Sequence, residues 1–223
     1  MPSPPVGPGP RTRVRRLAAK ARYDESLIYS ILDEAHFCHV AALVQDRAVT
    51  LPTLHARDGD VIYLHGSPSN AVMNALVDSG EGYLCATLFD GLRLARSGFE
   101  SSIAYRSVVV VGSTRDVVAA DEKAHVLDLF VERVLVGRSK EVRPASDREL
   151  RLTKVVAITI DEASAKVSEG PTEDSAADQE LPIWAGLIPA RVTFGVPRPY
   201  LNGAMASGAV SLPESVVNLL SST

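Results

Sequence analysis

Residues 90–112, DGLRLARSGFESSIAYRSVVVVG, carry the pattern that most restricts the fold. They contain two strand-like runs, at 92–99 and 103–111. The second run places Tyr105 and Arg106 before four consecutive valines, so one end of this strand is polar while the rest needs burial on both faces. Neighbouring strands of this kind are typical of a barrel or sheet, and polar groups at the mouth of a closed sheet are where ligands usually bind.

Short strands and amphipathic helices account for the rest of the chain. The pair Asp90-Gly91 is a turn signal that separates a strand at 83–88 from the run at 92–99, and Gly112 is expected to form a bulge or bend. Further strands are expected at 36–44, 48–56, 61–65, 153–160 and within 181–194, and helices at 24–35, 72–80, 121–136 and 146–152. This pattern predicts a mainly β protein of the α+β class, a small antiparallel barrel with helices outside it.

The chain is predicted to form one folded domain between two looser ends. Residues 1–10 contain five prolines and two glycines and are expected to be a disordered tail. The folded domain is placed at 11–195, with an acidic mobile loop at 168–180. Residues 196–223 are expected to form a loosely ordered C-terminal segment that includes a short helix near 215–220.

Composition argues against several classes of protein. The net charge of −4 is unfavourable for a general nucleic-acid binder. One short segment is nevertheless basic. It is either a solvated arm or the start of a helix, or else an arm that binds phosphate or nucleic acid; its cations are Arg11, Arg13, Arg15, Arg16, Lys20 and Arg22. Cys38 and Cys85 lie in apolar runs, as reduced core cysteines do. A helix needs about 20 apolar residues to span a bilayer, and no apolar run in the sequence approaches that length, so we expect a cytoplasmic protein.

The loop HGSPSN at 65–70 is the one local motif that indicates a ligand. It lies between a predicted strand and a predicted helix, where free backbone N–H groups and serine hydroxyls suit a phosphate, although many such loops only cap a helix. His36 and His39 point to opposite faces of a strand, so no metal site is predicted. Hydrolase, kinase and Rossmann motifs do not occur.

A set of ordered segments resembles the pyridoxamine 5′-phosphate oxidase-like family of FMN-binding split barrels, in the branch that contains the nitroimidazole-resistance flavoproteins. The segments are YDESLIYSILDEAHFCHVA, LPTLHARDGDVIYLHGSPS, DGLRLARSGF, YRSVVVVG, GR at 137–138, RPASDREL, EASAKV and LPIWAGLIP. The resemblance covers about residues 11–191 and implies a homodimer of six-stranded antiparallel split β-barrels with peripheral helices. It also implies two FMN molecules in grooves between the subunits.

The same resemblance implies a set of cofactor-binding residues. Along the strand that faces the flavin ring they are Pro52, Thr53 and Leu54; near the ribityl phosphate, Leu64, His65, Ser67 and Asn70; and on the opposite side of the flavin, Arg106 and Ser107, with Trp184 near the dimer-facing cleft. The resemblance also implies that His65 takes part in catalysis, since a neutral imidazole beside a flavin can donate a hydrogen bond or move a proton near neutral pH.

These features indicate an FMN-dependent oxidoreductase that acts on a small organic substrate, with the flavin supplying the redox chemistry. The chain departs from the family pattern where basic residues are usual, at Asn70-Ala71 and Ser168. Two alternatives therefore stay open. One is a haem- or deazaflavin-binding protein on the same fold, with His65, His55 or His39 as the axial haem ligand. The other is a non-catalytic dimer with a degenerate flavin site.

Overall fold

A computed structural model of the protein describes residues 7–200 and 210–221. Its centre is a nine-stranded antiparallel sheet, in which the order β3-β2-β6-β7-β8-β5-β4 is extended by β1 beside β8 and by β9 beside β6. The strands are β1 (Ala21–Arg22), β2 (Cys38–Val44), β3 (Arg47–Thr53), β4 (Ala56–Asp58), β5 (Val61–Gly66), β6 (Glu81–Leu94), β7 (Ser102–Asp116), β8 (Lys154–Ser168) and β9 (Gly186–Pro189). Only β2, β3, β5, β6, β7 and β8 are longer than four residues, which gives six principal strands.

Among the residues that the structure describes, six α-helices lie outside the sheet or close its ends. They are α1 (Glu25–Glu34), α2 (Ala71–Ser79), α3 (Ala120–Val134), α4 (Asp147–Leu152), α5 (Ala176–Gln179) and α6 (Glu214–Ser221). Local signals set their limits: the Asp24 carboxylate accepts a hydrogen bond from the amide of Leu27, and Ser146 and Glu149 form the predicted capping box of α4. Gly80 ends α2 in the left-handed conformation, with φ of 70°.

The sheet folds around an interior core. Val40 on β2 and Leu64 on β5 belong to the same buried cluster although three strands lie between them in the sheet. The inner faces of α1 and α2 complete this cluster with Ile28, Ile31 and Leu76. The sheet is thus curved like a barrel but split, because among the described residues no strand pairing joins β3 to β4. The predicted α+β class and antiparallel split barrel are confirmed.

A second, smaller core lies on the outer side of the sheet. Tyr63 on β5 and Ala157 on β8 pack there against Val126 and Phe130 of α3. Side chains alternate between the two faces of a strand, so β5 serves both cores at once. This arrangement makes the outer face of β5 the floor of a layer covered by α3.

Several predicted boundaries were wrong, among them the strand predicted at 92–99, which ends at Leu94. Asp90-Gly91 is not a turn: β6 runs through it, and the pairing of β6 with β7 shifts register between Phe89 and Gly91. The run predicted at 48–56 is divided into β3 and β4 by Leu54 and His55. The bulge predicted at Gly112 is confirmed, since the pairing of β7 with β8 shifts there and an added Cβ would lie 1.9 Å from the carbonyl oxygen of Thr159.

The ends of the chain are described in part. Residues 1–6, 201–209 and 222–223, which belong to the predicted tails, lie outside the described residues. Gly7 lies along β8, where its carbonyl accepts a hydrogen bond from the amide of Ala163. Ser215 at the start of α6 is buried and donates from its hydroxyl to Glu141 at 2.6 Å. In the described part of the chain, no helix is both long and apolar enough to cross a membrane.

Candidate functional site

His65 lies on β5 and faces α3 rather than the barrel interior. It pairs with Val155 of β8, while its neighbour Leu64 points inward and is fully buried. The imidazole ring packs against Phe130 with ring centroids 4.2 Å apart and planes inclined by 57°. Its Nδ1 atom is buried and has no hydrogen-bond partner in the described part of the chain. Burial lowers the pKa of His65 below its ordinary value, so the ring is neutral at physiological pH.

A cavity of about 490 Å³ opens beside His65. One wall is the apolar face of α3, and the opposite side is built from the chain that precedes α4. The lining residues are Leu54, His65, Leu127, Phe130, Val131, Val134, Arg143, Ala145 and Glu149. The cavity therefore places one neutral imidazole among aliphatic and aromatic side chains, with a charged group only at its α4 side.

That charged group is an ion pair. Arg143 donates to Glu149 from both terminal nitrogens, at 2.8 and 2.6 Å. Hydrogen bonds from Arg143 and from Ser146 hold the pKa of the Glu149 carboxyl well below its usual range. The capping box of α4 thus fixes an arginine at the cavity, where an entering anionic group would compete with Glu149.

The structure brings only part of the predicted cofactor-binding set to this cavity. Leu54 and His65 line it, and Pro52 and Thr53 precede Leu54 at the end of β3. The Leu64 side chain lies in the interior core, so its backbone alone is available to a ligand. These assignments remain predictions.

The turn after His65 is mainly occupied by its own hydrogen bonds. Ser67 and Ser69 share a hydroxyl hydrogen bond of 2.9 Å and are exposed. The side-chain oxygen of Asn70 accepts from the amides of Val72 at 3.0 Å and Met73 at 3.2 Å. Because Asn70 already caps α2, the amides that a phosphate would use are partly taken.

Arg106, Ser107 and Trp184 do not line the cavity beside His65. Arg106 binds two carboxylates: both of its terminal nitrogens donate to Glu34, at 2.6 and 2.8 Å, and Nε and Nη2 donate to Asp90. Hydrogen bonds that Arg106 donates to these carboxylates, first to Glu34 and then to Asp90, raise the pKa of Arg106 above its already high value. Ser107 is half-buried on β7, and Trp184 is 64% exposed just before β9.

The other two histidines considered as haem ligands are less suitable. His55 is fully buried, and its Nε2 donates to the carbonyl of Leu32 at 2.8 Å. His39 is exposed on β2, with its ring edge-on to Phe37 at 5.8 Å between centroids. Among the described residues, no group of three or more histidine, cysteine or acidic side chains is arranged to hold a metal ion.

Sequence reasoning missed the α3 and α4 sides of the site. The helical spacing of the residues around Phe130 predicted α3, but spacing along one helix does not say which strand the helix covers. The capping-box motif predicted α4 and gave no sign that Arg143 would face a cavity. The one available signal was the apolar face of α3 itself, which had to cover some part of the sheet.

Comparison with known proteins places the chain in a family. The family model described as pyridoxamine 5′-phosphate oxidase matches residues 24–167. The chain belongs to the pyridoxamine 5′-phosphate oxidase family. The predicted resemblance is thereby confirmed. No curated protein matches the chain significantly.

Solved structures extend the similarity over most of the chain. The flavocytochrome Anf3 from Azotobacter vinelandii is 33% identical, covers 96% of this chain and 98% of its own, and superposes with a TM-score of 0.88. The FAD and heme binding protein from Mycobacterium smegmatis is 31% identical, with 90% and 97% coverage and a TM-score of 0.84. A proposed 5-nitroimidazole antibiotic resistance protein from Bacteroides thetaiotaomicron shares the fold at 23% identity, 66% and 86% coverage and a TM-score of 0.57.

Proposed function

We propose that this pyridoxamine 5′-phosphate oxidase family protein binds a flavin and a haem and acts as an oxidoreductase. Two solved structures above 30% identity are a flavocytochrome and a protein that binds FAD and heme, and both match nearly the full chain. Such likeness supports the same pair of cofactors in this chain. The observation that carries the haem part is the neutral, unpartnered imidazole of His65 in an apolar cavity.

The residues around His65 fit a haem. A neutral imidazole nitrogen is the usual protein ligand of haem iron, and His65 lines the cavity with no hydrogen bond at its Nδ1 among the described residues. The leucine and valine side chains of α3 would cover a porphyrin face and exclude water. Arg143 stands where it would meet a haem propionate, in exchange for its contact with Glu149. When bound, the haem would supply one-electron chemistry.

The flavin is proposed to be FMN, as the sequence resemblance implies, or FAD, as in the M. smegmatis relative. Deazaflavin remains the less favoured alternative, because the descriptions of the A. vinelandii and M. smegmatis structures do not mention a deazaflavin. Of the predicted flavin contacts, Leu54 lines the same cavity as His65, which would bring the two cofactors close together. A small organic molecule is the proposed substrate class.

We also propose a homodimer. On the outer face of β6 and β7, Tyr83, Phe89 and Val109 are 42%, 53% and 42% exposed. Apolar side chains clustered on one face of a sheet mark an interaction surface, and a second copy of this chain would cover it. Light scattering should give the mass of two chains for the wild type and of one chain for Val109→Lys. A monomeric wild type would contradict this part of the proposal.

Cofactor analysis of the purified protein tests the proposed function. The protein is expressed with added haem precursor, denatured, and its released small molecules are identified by mass spectrometry, with haem quantified as its pyridine complex. We expect both a flavin and haem b in stoichiometric amounts, and the flavin mass distinguishes FMN from FAD. Recovery of neither cofactor, even after incubation of the folded protein with both, would contradict the proposal and favour the non-catalytic dimer.

A further inference from the structure

Arg93 is a buried cation without a buried counter-charge. It lies on β6 beyond the bulge, and its residue is 6% exposed. Its Nη1 donates to the hydroxyl of Ser168 at 3.1 Å, Nη2 donates to the carbonyl of Pro171, and Nε is buried without a partner. Within residues 7–200 and 210–221, no carboxylate forms an ion pair with it. Buried charges are normally paired, so this guanidinium is the exception to be explained.

A second cation reaches the same hydroxyl. The Nζ of Lys20, at the end of the 3-10 helix Ala18–Lys20, lies 3.4 Å from Ser168 Oγ. Ser168 itself is buried, and its hydroxyl can donate only to the carbonyl of Ile103 at 3.4 Å. Two positive groups thus converge on one neutral oxygen, and their mutual repulsion is unfavourable unless a negative group lies between them.

The space for such a group is present. A cavity of about 720 Å³ is lined by Arg93, by Arg96, by parts of the segment 170–180 and by residues 185–187. Arg96 also faces it, but its charge is balanced by Asp174 at 3.1 Å. The carboxylates at this cavity are that of Asp174, which Arg96 holds, and that of Glu180 on the exposed rim. The net cationic character of the inner end therefore comes from Arg93, while Lys20 does not line the cavity and lies behind the Ser168 hydroxyl that both cations contact.

We propose that this cavity binds a phosphate or pyrophosphate group of an organic ligand, with Arg93 as its cationic contact and Lys20 adding positive charge from behind Ser168. A planar guanidinium and a lysine ammonium together suit tetrahedral phosphate oxygens. The phosphate belongs either to the flavin cofactor or to a separate phosphate-bearing ligand. The site does not involve His65 or the cavity beneath α3, so its test does not depend on whether the protein binds haem.

Calorimetric titration with inorganic pyrophosphate at low salt tests the site in the full-length protein. We expect saturable binding by the wild type, weakened by at least about tenfold in Arg93→Gln, which loses a charge-assisted contact, and by a smaller factor in Lys20→Gln, which loses a nearby positive charge. Arg148→Gln removes a cation from the exposed surface of α4 and should bind as the wild type does. Lys20 is only half-buried, so Lys20→Gln remains informative if Arg93→Gln fails to fold.

The titration is run on protein with its flavin bound and on protein from which flavin has been removed. Pyrophosphate binding only after flavin removal identifies the flavin phosphates as the natural occupant. Binding in both states identifies a separate phosphate-bearing ligand. If the protein as purified contains no cofactor and takes up none, pyrophosphate binding would support the site while contradicting the proposed function. The inference is overturned if no state binds pyrophosphate, or if Lys20→Gln and Arg93→Gln both bind it as tightly as the wild type.

Discussion

The imidazole of His65 lies against the phenyl ring of Phe130, with centroids 4.2 Å apart. This contact joins β5, which forms the floor of the cavity, to α3, which forms its wall. Because Phe130 is 4% exposed and belongs to the outer core, it holds in one orientation a histidine that also lines the cavity.

Phe130 should therefore be required for both stability and ring placement. Phe130→Ala is expected to lower the free energy of unfolding by about 3 kcal/mol, since it leaves a void in the outer core, whereas Phe130→Leu should cost less than about 1.5 kcal/mol. Urea denaturation of the two variants beside the wild type measures this. Equal stability of Phe130→Ala and the wild type would show that α3 does not pack on β5 as described.

Asn70 is predicted to act as a helix cap whatever its relation to a cofactor. Its side-chain oxygen accepts from two amides of α2, so Asn70→Ala should lower the free energy of unfolding by about 1 kcal/mol. Asn70→Asp keeps the acceptor and should retain most of that stability. A thermal melt followed by circular dichroism separates the two variants. If Asn70→Asp is as unstable as Asn70→Ala, the capping role is wrong.

His55 should make the fold sensitive to acid. Burial is the main cause that lowers its pKa below the ordinary value of 6.5, so the unfolded chain binds a proton that the folded chain does not. Stability is then complete above pH 6.5 and falls as the pH decreases from there towards the folded-state pKa. His55→Gln keeps a donor for the carbonyl of Leu32 and should lose less stability in that window.

Urea denaturation at pH 7.5 and at pH 5.5 gives the difference for each protein. His125→Gln, which alters an exposed histidine, is the matched control and should behave as the wild type. An identical acid response in His55→Gln and in the wild type would contradict the assignment of this effect to His55.

Arg106 is expected to hold the barrel mouth together. Its bidentate contacts tie Glu34 of α1 to Asp90 at the bulge of β6. Arg106→Gln should lower the free energy of unfolding by about 1 kcal/mol, a modest value because all three side chains are partly exposed. Glu34→Gln removes one of the two partners and should cost less. A larger loss in Glu34→Gln than in Arg106→Gln would show that the ion pair is not the source of the stability.

The fold was largely predictable because its signals are local. Alternating runs and caps such as Asp24 and Ser146 are read within a few residues, and the ordered motifs identify the family. The error at Asp90-Gly91 has a physical reason: Gly91 has φ of 153°, and its pairing with Ala104 follows a register shift. A bulge and a turn use the same residue types, and only the long-range partner distinguishes them.

The site was predictable only in part. His65 was found because its motif is contiguous in sequence. Phe130, Arg143 and Arg93 were not, since each reaches its site through a contact between distant parts of the chain. The placement of α3 on β5 and of residues 170–187 beside β6 depends on packing that no spacing rule encodes.

Titration of the purified protein with haemin, followed by visible absorption, tests the central claim most directly. The wild type and His39→Ala, whose histidine is exposed on β2, should develop a saturable Soret band, while His65→Ala should lose it or show it at a shifted position. His65→Ala should keep its circular dichroism spectrum, since the histidine is only half-buried. An unchanged Soret band in folded His65→Ala, at the same position and affinity as in the wild type, would contradict the assignment of His65 as the haem ligand.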